Sequence, residues 1–470
     1  MFKKLLNKET NSIGVGGAIL AFSALLSRML GLVRDRLLAN QFGAGEALDI
    51  YYASFQIPDF FYNLFILGTL SVAFIPVFTG YIQNGEKQKI GDDGLKFANT
   101  ILNTVFLCMG AGCLGLILFA PYVLRLIVPG FSGEKYAGTV IMTRIMLFSP
   151  FFFSISSVFG SMLTSFKRFI VISFAPLLYN LGIIFGVIVL APNFGINGLA
   201  FGVILGAFFH MLIQFAAVKN LGYRYQKIID FNGKGIKKFI RLFLPRIISM
   251  DLSQVSILIA NIFGSILKGG SIAIFNLANN IQSLPLGLFG VSLAAAAFPH
   301  LSAAAAEKDY KKFRRNLAKT SFRILCFILP AGIILFIFSQ PIVTLLLSTG
   351  KFLSKETTMT SAVLSCFCLG LLPQGLIPLF LKAFYSLQDT ITPLIINIVS
   401  IVIDVLASFF FVRLLSSMNW TSKFIFDFFG ILGTEDIRVL GLALGFSLAS
   451  WINLLLVYSL IYLRLKKIDA

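Results

Sequence analysis

Long apolar runs separated by short polar clusters dominate this chain from end to end. About 20 apolar residues in a helix cross the hydrocarbon core of a bilayer, so each run reads as a spanning helix. The pattern predicts spans over residues 13–33, 49–80, 98–127, 138–165, 170–190 and 196–217, and then, after a basic stretch, over 240–267, 271–300, 320–346, 358–385, 391–413 and 439–463. The predicted fold is an all-α integral membrane protein of about 12 transmembrane helices. Residues 1–218 make an N-terminal six-helix lobe, 219–238 a basic cytoplasmic linker, and 239–470 a C-terminal six-helix lobe. Pro58, Pro150, Pro176, Pro245, Pro285, Pro373 and Pro393 fall inside these runs and permit kinks. Residues 414–437, with Trp420 and a Phe-rich stretch, read as a long external loop or an interfacial helix.

The two sets of spans repeat each other. Gly198-Leu-Ala-Phe-Gly202 and Gly441-Leu-Ala-Leu-Gly445 each open the last span of their half. Residues 175–180 (APLLYN) match 392–397 (TPLIIN), and 64–76 (LFILGTLSVAFIP) match 288–299 (LFGVSLAAAAFP) with one residue dropped. With an even number of spans in each half, the halves share one orientation and are related by an axis along the membrane normal. Two such lobes rocking about a central cavity would give alternating access.

Composition narrows the class. Hydrophobic residues make up 57% of the chain and charged ones 13%, about half the roughly 25% charge of soluble proteins. The net charge of +19 is dispersed between spans rather than gathered on an aromatic-rich module, so it sets orientation and does not indicate nucleic acid. Lys87, Lys89, Lys96, Lys167, Arg168, Lys219, Arg224, Lys227, Lys308, Lys311 and Arg314 fall in alternate loops, which places both termini in the cytoplasm. Lys3, Lys4 and Lys8 imitate a signal peptide, but the apolar run behind them is expected to remain as the first helix. Cys108, Cys113, Cys326, Cys366 and Cys368 lie in apolar runs without metal-ligand spacing, and His210 and His300 stand apart; no metal is expected.

Charge inside spans is the next signal. Arg28 closes the uncharged run 13–27, and Asp35 lies two helical turns later on nearly the same face with Gly31 between them. Intramembrane charge is costly and marks substrate or ion routes, and guanidinium is the side chain best matched to phosphate oxygens. An anion site in a membrane follows as the first expectation. Polar groups for a cavity are Arg28, Arg34, Asp49, Asp59 and Asn63 in the first half, and Arg246, Asp251, Asn279, Asn280 and Gln282 in the second. The amides either line the cavity or hydrogen-bond neighbouring helices around Pro285. Asn397, Ser400 and Asp404 form an oxygen-bearing stripe on one helix, joined in a candidate ion-binding set by Asn261 and Ser447. Sodium, a proton on Asp404, or a helix-packing hydrogen bond are the readings of that stripe.

These residues also carry a family resemblance. SRMLGLVRD at 27–35, FGAGEALD ending at Asp49, Ile57-Pro58, GTLSVAFIP at 68–76, LPLGLFGVSL at 284–293 and FYSLQDTITP at 384–393 together resemble the MurJ family (formerly MviN), the lipid II flippases of the MOP exporter superfamily. The resemblance spans nearly the whole chain. It implies a MATE-like, two-lobed bundle in the bacterial cytoplasmic membrane that carries lipid II, the undecaprenyl-diphosphate-linked disaccharide peptide of peptidoglycan biosynthesis, from the inner to the outer leaflet. Arg28, Arg34 and Asp49 are the positions it carries over as cavity residues. Membrane lipids and the cell-wall synthesis machinery are the partners it implies. The sequence departs from the family at Tyr62, Asn63 and Leu67, where a charged cluster is usual, and at Asn280, where Arg is usual, while Arg246 follows Pro245. Two further helices that hold the lipid tail in many members are not expected in this chain.

An exporter of another lipid-linked oligosaccharide or of small molecules is the alternative within the same superfamily. A membrane enzyme is disfavoured, since the Asp92-Asp93 pair sits in a Lys-rich loop and reads as solvated charge. No G-x-x-x-x-G-K loop is present to bind ATP. With no cofactor, cycling would draw on a Na+ or H+ gradient or on the membrane potential.

Overall fold

The computed structural model describes residues 13–66, 70–83, 89–248, 253–417, 420–431 and 436–469. Helix dominates, and the strands among the described residues are a two-residue antiparallel ladder in which Ile82 pairs with Ile90 and Gln83 with Lys89. Nine described helices are long and apolar enough to cross a membrane, and the pair Ser354–Cys368 and Leu371–Ser386, bent by 45°, passes the same test jointly. Two expected spans depart from the simple pattern. Ile13–Phe42 is a 30-residue helix carrying Arg28, Arg34, Asp35 and Arg36 in its second half. Of the expected 240–267 span, the described residues form parts of the helices Lys234–Ile248 and Ser253–Ile266, with 249–252 outside them.

The prolines divide into two kinds. Pro58, Pro176 and Pro285 lie inside helices, and a π-helical stretch, Leu286–Val291, follows Pro285 directly. Pro150, Pro373 and Pro393 instead sit in the opening turns of Phe148–Ser165, Leu371–Ser386 and Ile391–Leu414. Proline lacks only a hydrogen bond that those positions do not make.

The chain divides into two compact units: Met1–Leu37, Ile50–Leu126 and Ser132–Met250, and Leu38–Asp49, Ile127–Phe131 and Asp251–Ala470. In the first, an aromatic core gathers Phe74, Phe78, Phe97, Phe159 and Phe166, with Phe74 stacked on Phe78 at 5.0 Å. The basic connection joins this core. Ile236 and Phe239, on one face of the Lys234–Ile248 helix, are buried in it, while Lys237, Lys238 and Arg241 on the other face are exposed. Residues 223–230 run extended along the Asp92–Ile127 helix, where Asn99 accepts from the Tyr223 hydroxyl and the Gln226 N–H and donates to the Arg224 carbonyl. Asn103 donates to the carbonyls of Gln226 and Ile228. A segment without secondary structure thus has its backbone satisfied by side chains.

The repeat has a structural reason in each unit. Gly202 lies so close to Gly186 that a Cβ would fall 2.6 Å from its Cα. In the second unit, a Cβ on Gly445 would stand 2.6 Å from the Ser408 nitrogen. Both glycines let the last span of a half press backbone to backbone on the span before it, which is how helices associate where lipid removes the hydrophobic drive. The second unit's own core packs Leu301, Phe313, Ile324, Ile328, Leu379 and Phe384.

Candidate anion site in the first unit

The site grows from the one place where the Ile13–Phe42 helix brings charge into apolar surroundings. Arg34 is one-fifth exposed and Asp35 is buried. Nε and Nη2 of Arg34 both donate to Oδ1 of Asp35, at 3.0 and 2.8 Å. Nη1 reaches Oδ1 of Asn180, on the Phe169–Phe185 helix, at 3.5 Å. Asn180 is held by its own amide, which donates to the Ser27 hydroxyl at 3.1 Å and to the carbonyls of Ser27 and Pro176. A guanidinium has five N–H donors. Among the described residues three are engaged, which leaves one on each terminal nitrogen, the paired geometry that a phosphate oxygen or a carboxylate takes.

The Glu46–Phe65 helix supplies the surroundings. Tyr51 and Tyr52 are buried, and their hydroxyls have no hydrogen-bond partner among the described residues. Both lie within electrostatic reach of Arg34 and Asp35. Asp59, two turns further on, is solvent-accessible and also within reach of Arg34. An aromatic wall continues from it, Tyr62 to Phe153 at 5.5 Å, Phe153 to Tyr179 at 4.9 Å and Phe153 to His210 at 5.1 Å. The Ser156 hydroxyl and Nδ1 of His210 are 2.8 Å apart. A guanidinium with spare donors, orphan hydroxyls and aromatic rings is an environment for an anionic group carrying sugar-like hydroxyls.

The sequence-derived residues distribute unevenly. Arg28 is half-buried on the same helix as Arg34, and Asn63 is half-buried one turn after Asp59. Asp49 sits in a different setting. Its carboxylate is buried and accepts from the Gly270 N–H at 2.7 Å and the Ala273 N–H at 2.9 Å, so it caps the Ser271–Pro285 helix from within the second unit. The rest of the FGAGEALD motif serves the same clasp. Gly43 has a φ of +65°, and a Cβ there would meet the Lys351 carbonyl at 2.8 Å; Gly270, with φ +94°, has the Ala44 carbonyl where its Cβ would be. Asn280 lies half-buried on the Ser271–Pro285 helix, where its carbonyl accepts from the Ser283 hydroxyl. The side chain of Arg246 and all of Asp251 lie outside the described residues.

In the second unit, buried Asp404 accepts from Ser408 at 3.4 Å and from the Ser256 hydroxyl. Asn397 and Ser400 lie on the same helix, both half-buried. Asn261 is buried with its amide on the Ile257 carbonyl and its Oδ1 without a hydrogen-bond partner among the described residues. Ser447 donates to the Cys366 carbonyl at 2.8 Å. Among the described residues no three His, Cys, Asp or Glu side chains group as metal ligands. Asn180, Tyr51, Tyr52 and Tyr179 escaped the sequence reading. The signal for Asn180 was present, because it ends the APLLYN repeat whose counterpart ends in Asn397.

A family model described as Lipid II flippase MurJ matches residues 38–470. The probable lipid II flippase MurJ of Buchnera aphidicola subsp. Baizongia pistaciae is 32% identical over 93% of this chain and 81% of its own length. That of Vibrio cholerae is 27% identical over 99% of this chain and 85% of its own. A solved lipid II flippase MurJ in an inward closed conformation superposes with a TM-score of 0.75 at 25% identity, covering 94% of this chain and 87% of that one. An inward-facing MATE multidrug transporter of the MOP superfamily shares the fold, with a TM-score of 0.70 at 16% identity over 96% and 99% of the two chains. This multi-pass membrane chain is a transporter-type protein, not an enzyme, and it belongs to the MurJ family.

Proposed function

We propose that this chain carries lipid II across the bacterial cytoplasmic membrane, from the inner to the outer leaflet, with both termini in the cytoplasm. The diphosphate is held by the spare N–H groups of Arg34 with help from Arg28, and transport proceeds by alternating access. The observation that carries the reading is the Arg34–Asp35–Asn180 cluster in a chain whose residues 38–470 match the lipid II flippase family. An intramembrane guanidinium held on one edge and open on the other is suited to a diphosphate, while the aromatic wall offers stacking faces for sugar rings.

Cycling requires a differential interaction with the two facing states. Asp404, with the hydroxyls of Ser256 and Ser408, is the proposed point at which Na+ or H+ biases that equilibrium. The membrane potential acts on any charge that moves across it. The test is rescue of a bacterium depleted of its own lipid II flippase, combined with a leaflet assay for lipid II and the variants Arg28→Ala and Arg34→Ala. Rescue by the wild type alone, with the variants present in the membrane in normal amounts, is the expected result. A well-inserted wild type that leaves lipid II in the inner leaflet would move the assignment to another lipid-linked oligosaccharide.

A further inference from the structure

The Trp420–Phe429 helix presents an aromatic ladder that the proposed transport does not use. Trp420, Phe424 and Phe428 recur every four residues and are 79%, 56% and 57% exposed. Their rings stack in series, at 6.1 Å and 23° and then at 5.8 Å and 19°. The opposite side of the helix faces the protein, with Ser422 buried and donating to the Ser417 carbonyl. Lys423 and Asp427 are exposed one position before Phe424 and Phe428, so the outward face is aromatic along one edge and charged along the other.

We propose that this helix lies in the boundary between headgroups and acyl chains, with the Trp420–Phe424–Phe428 edge in lipid and the Lys423–Asp427 edge in water. Lipid is the occupant because the ladder continues a lipid-facing surface of the same unit. Phe428 meets Phe336 at 6.5 Å, and Phe336 stands in the last turn of the membrane-spanning Tyr310–Ile337 helix. Beside it Ile333, Ile334 and Ile337 are 49%, 53% and 64% exposed, as side chains facing acyl chains must be. Trp and Phe beside charged residues are the composition of a helix lying in a membrane interface. On the expected topology this is the outer leaflet, since the helix lies in sequence between the spans Ile391–Leu414 and Arg438–Asp469.

The chain has two tryptophans, so Trp451→Phe leaves Trp420 as the sole reporter in full-length protein reconstituted in phosphatidylcholine vesicles. Blue-shifted emission, quenching by lipids brominated near the headgroup and protection from aqueous acrylamide are expected. Acrylamide quenching without bromolipid quenching would place the ladder in water, and quenching by neither would place it against protein. Either result overturns the proposal. Should Trp451→Phe fail to fold, the difference in quenching between wild type and Trp420→Phe reads the same quantity.

Discussion

Arg34 and Asn180 are 146 residues apart in sequence and meet through Nη1 and Oδ1 at 3.5 Å. The contact joins the first span to the fifth apolar segment, and the same amide reaches back to Ser27 on the first span. Asn180 therefore sets the plane of the guanidinium from outside its own helix, while Asp35 fixes it from within.

That division predicts different losses. Arg34→Lys keeps the charge but cannot engage Asp35 through two nitrogens and Asn180 through a third, so lipid II transfer should fall nearly as far as in Arg34→Ala. Asn180→Ala removes one long hydrogen bond to a charged group, for which about 1 kcal/mol or somewhat more is expected, roughly a fivefold to tenfold loss. Leaflet assays at matched membrane levels check both. Equal activity of Arg34→Lys and wild type would remove geometry from the argument and leave only charge.

Asp49 should behave as a stability residue. Asp49→Ala leaves the buried N–H groups of Gly270 and Ala273 without their acceptor, at a cost of about 1–3 kcal/mol for each group left unsatisfied. Asp49→Asn retains one acceptor oxygen and should fall between wild type and Ala. Thermal unfolding in detergent measures the order. Full stability of the Ala variant with lost transfer would return Asp49 to the substrate.

The contrast between Asp49 and Asn180 shows what the sequence could and could not reveal. Spans, the basic connection and the internal repeat follow from hydropathy and spacing, because lipid imposes one solution on each apolar run. Arg34 was legible because charge in such a run needs a reason. Asp49 carried the same signal, yet its partners are backbone N–H groups more than 200 positions away, which no side-chain pattern records. Asn180 and the two tyrosines are uncharged, so only a residue aimed at them reveals their task. The breaks at Leu147 and Gly370 were hidden for another reason, since a helix stop within an apolar run leaves its hydropathy unchanged.

Two glycines should separate by sign. Gly202→Ala drives a methyl into the Gly186 backbone at 2.6 Å, and with backbone on both sides the helices must part, costing about 1–3 kcal/mol or more. Gly31 lies mid-helix with nothing within 4 Å of a built Cβ among the described residues. Gly31→Ala should raise stability by up to about 1 kcal/mol through helix propensity. Detergent melting of the two variants beside wild type decides it, and a harmless Gly202→Ala would sink the close-packing account of the repeat.

The last prediction concerns acid. Burial pushes the Asp389 carboxyl up, but hydrogen bonds from the Thr392 N–H and hydroxyl, with the Arg464 guanidinium beside it, outweigh burial and hold it below its ordinary value. A carboxyl lowered in the folded state stabilises the protein above its unfolded pKa, about 3.9, and that contribution is lost as pH falls through that value towards the folded one. The stability gap between wild type and Asp389→Asn should therefore stay constant from pH 7 to about pH 5 and close as pH falls below about 4. Arg464→Met removes the charge but leaves Thr392 in place, so its gap to Asp389→Asn should be smaller and still close in acid. Unfolding midpoints across this range provide the measurement. A gap that widens on acidification would mean that burial, not the Thr392 and Arg464 contacts, governs the group.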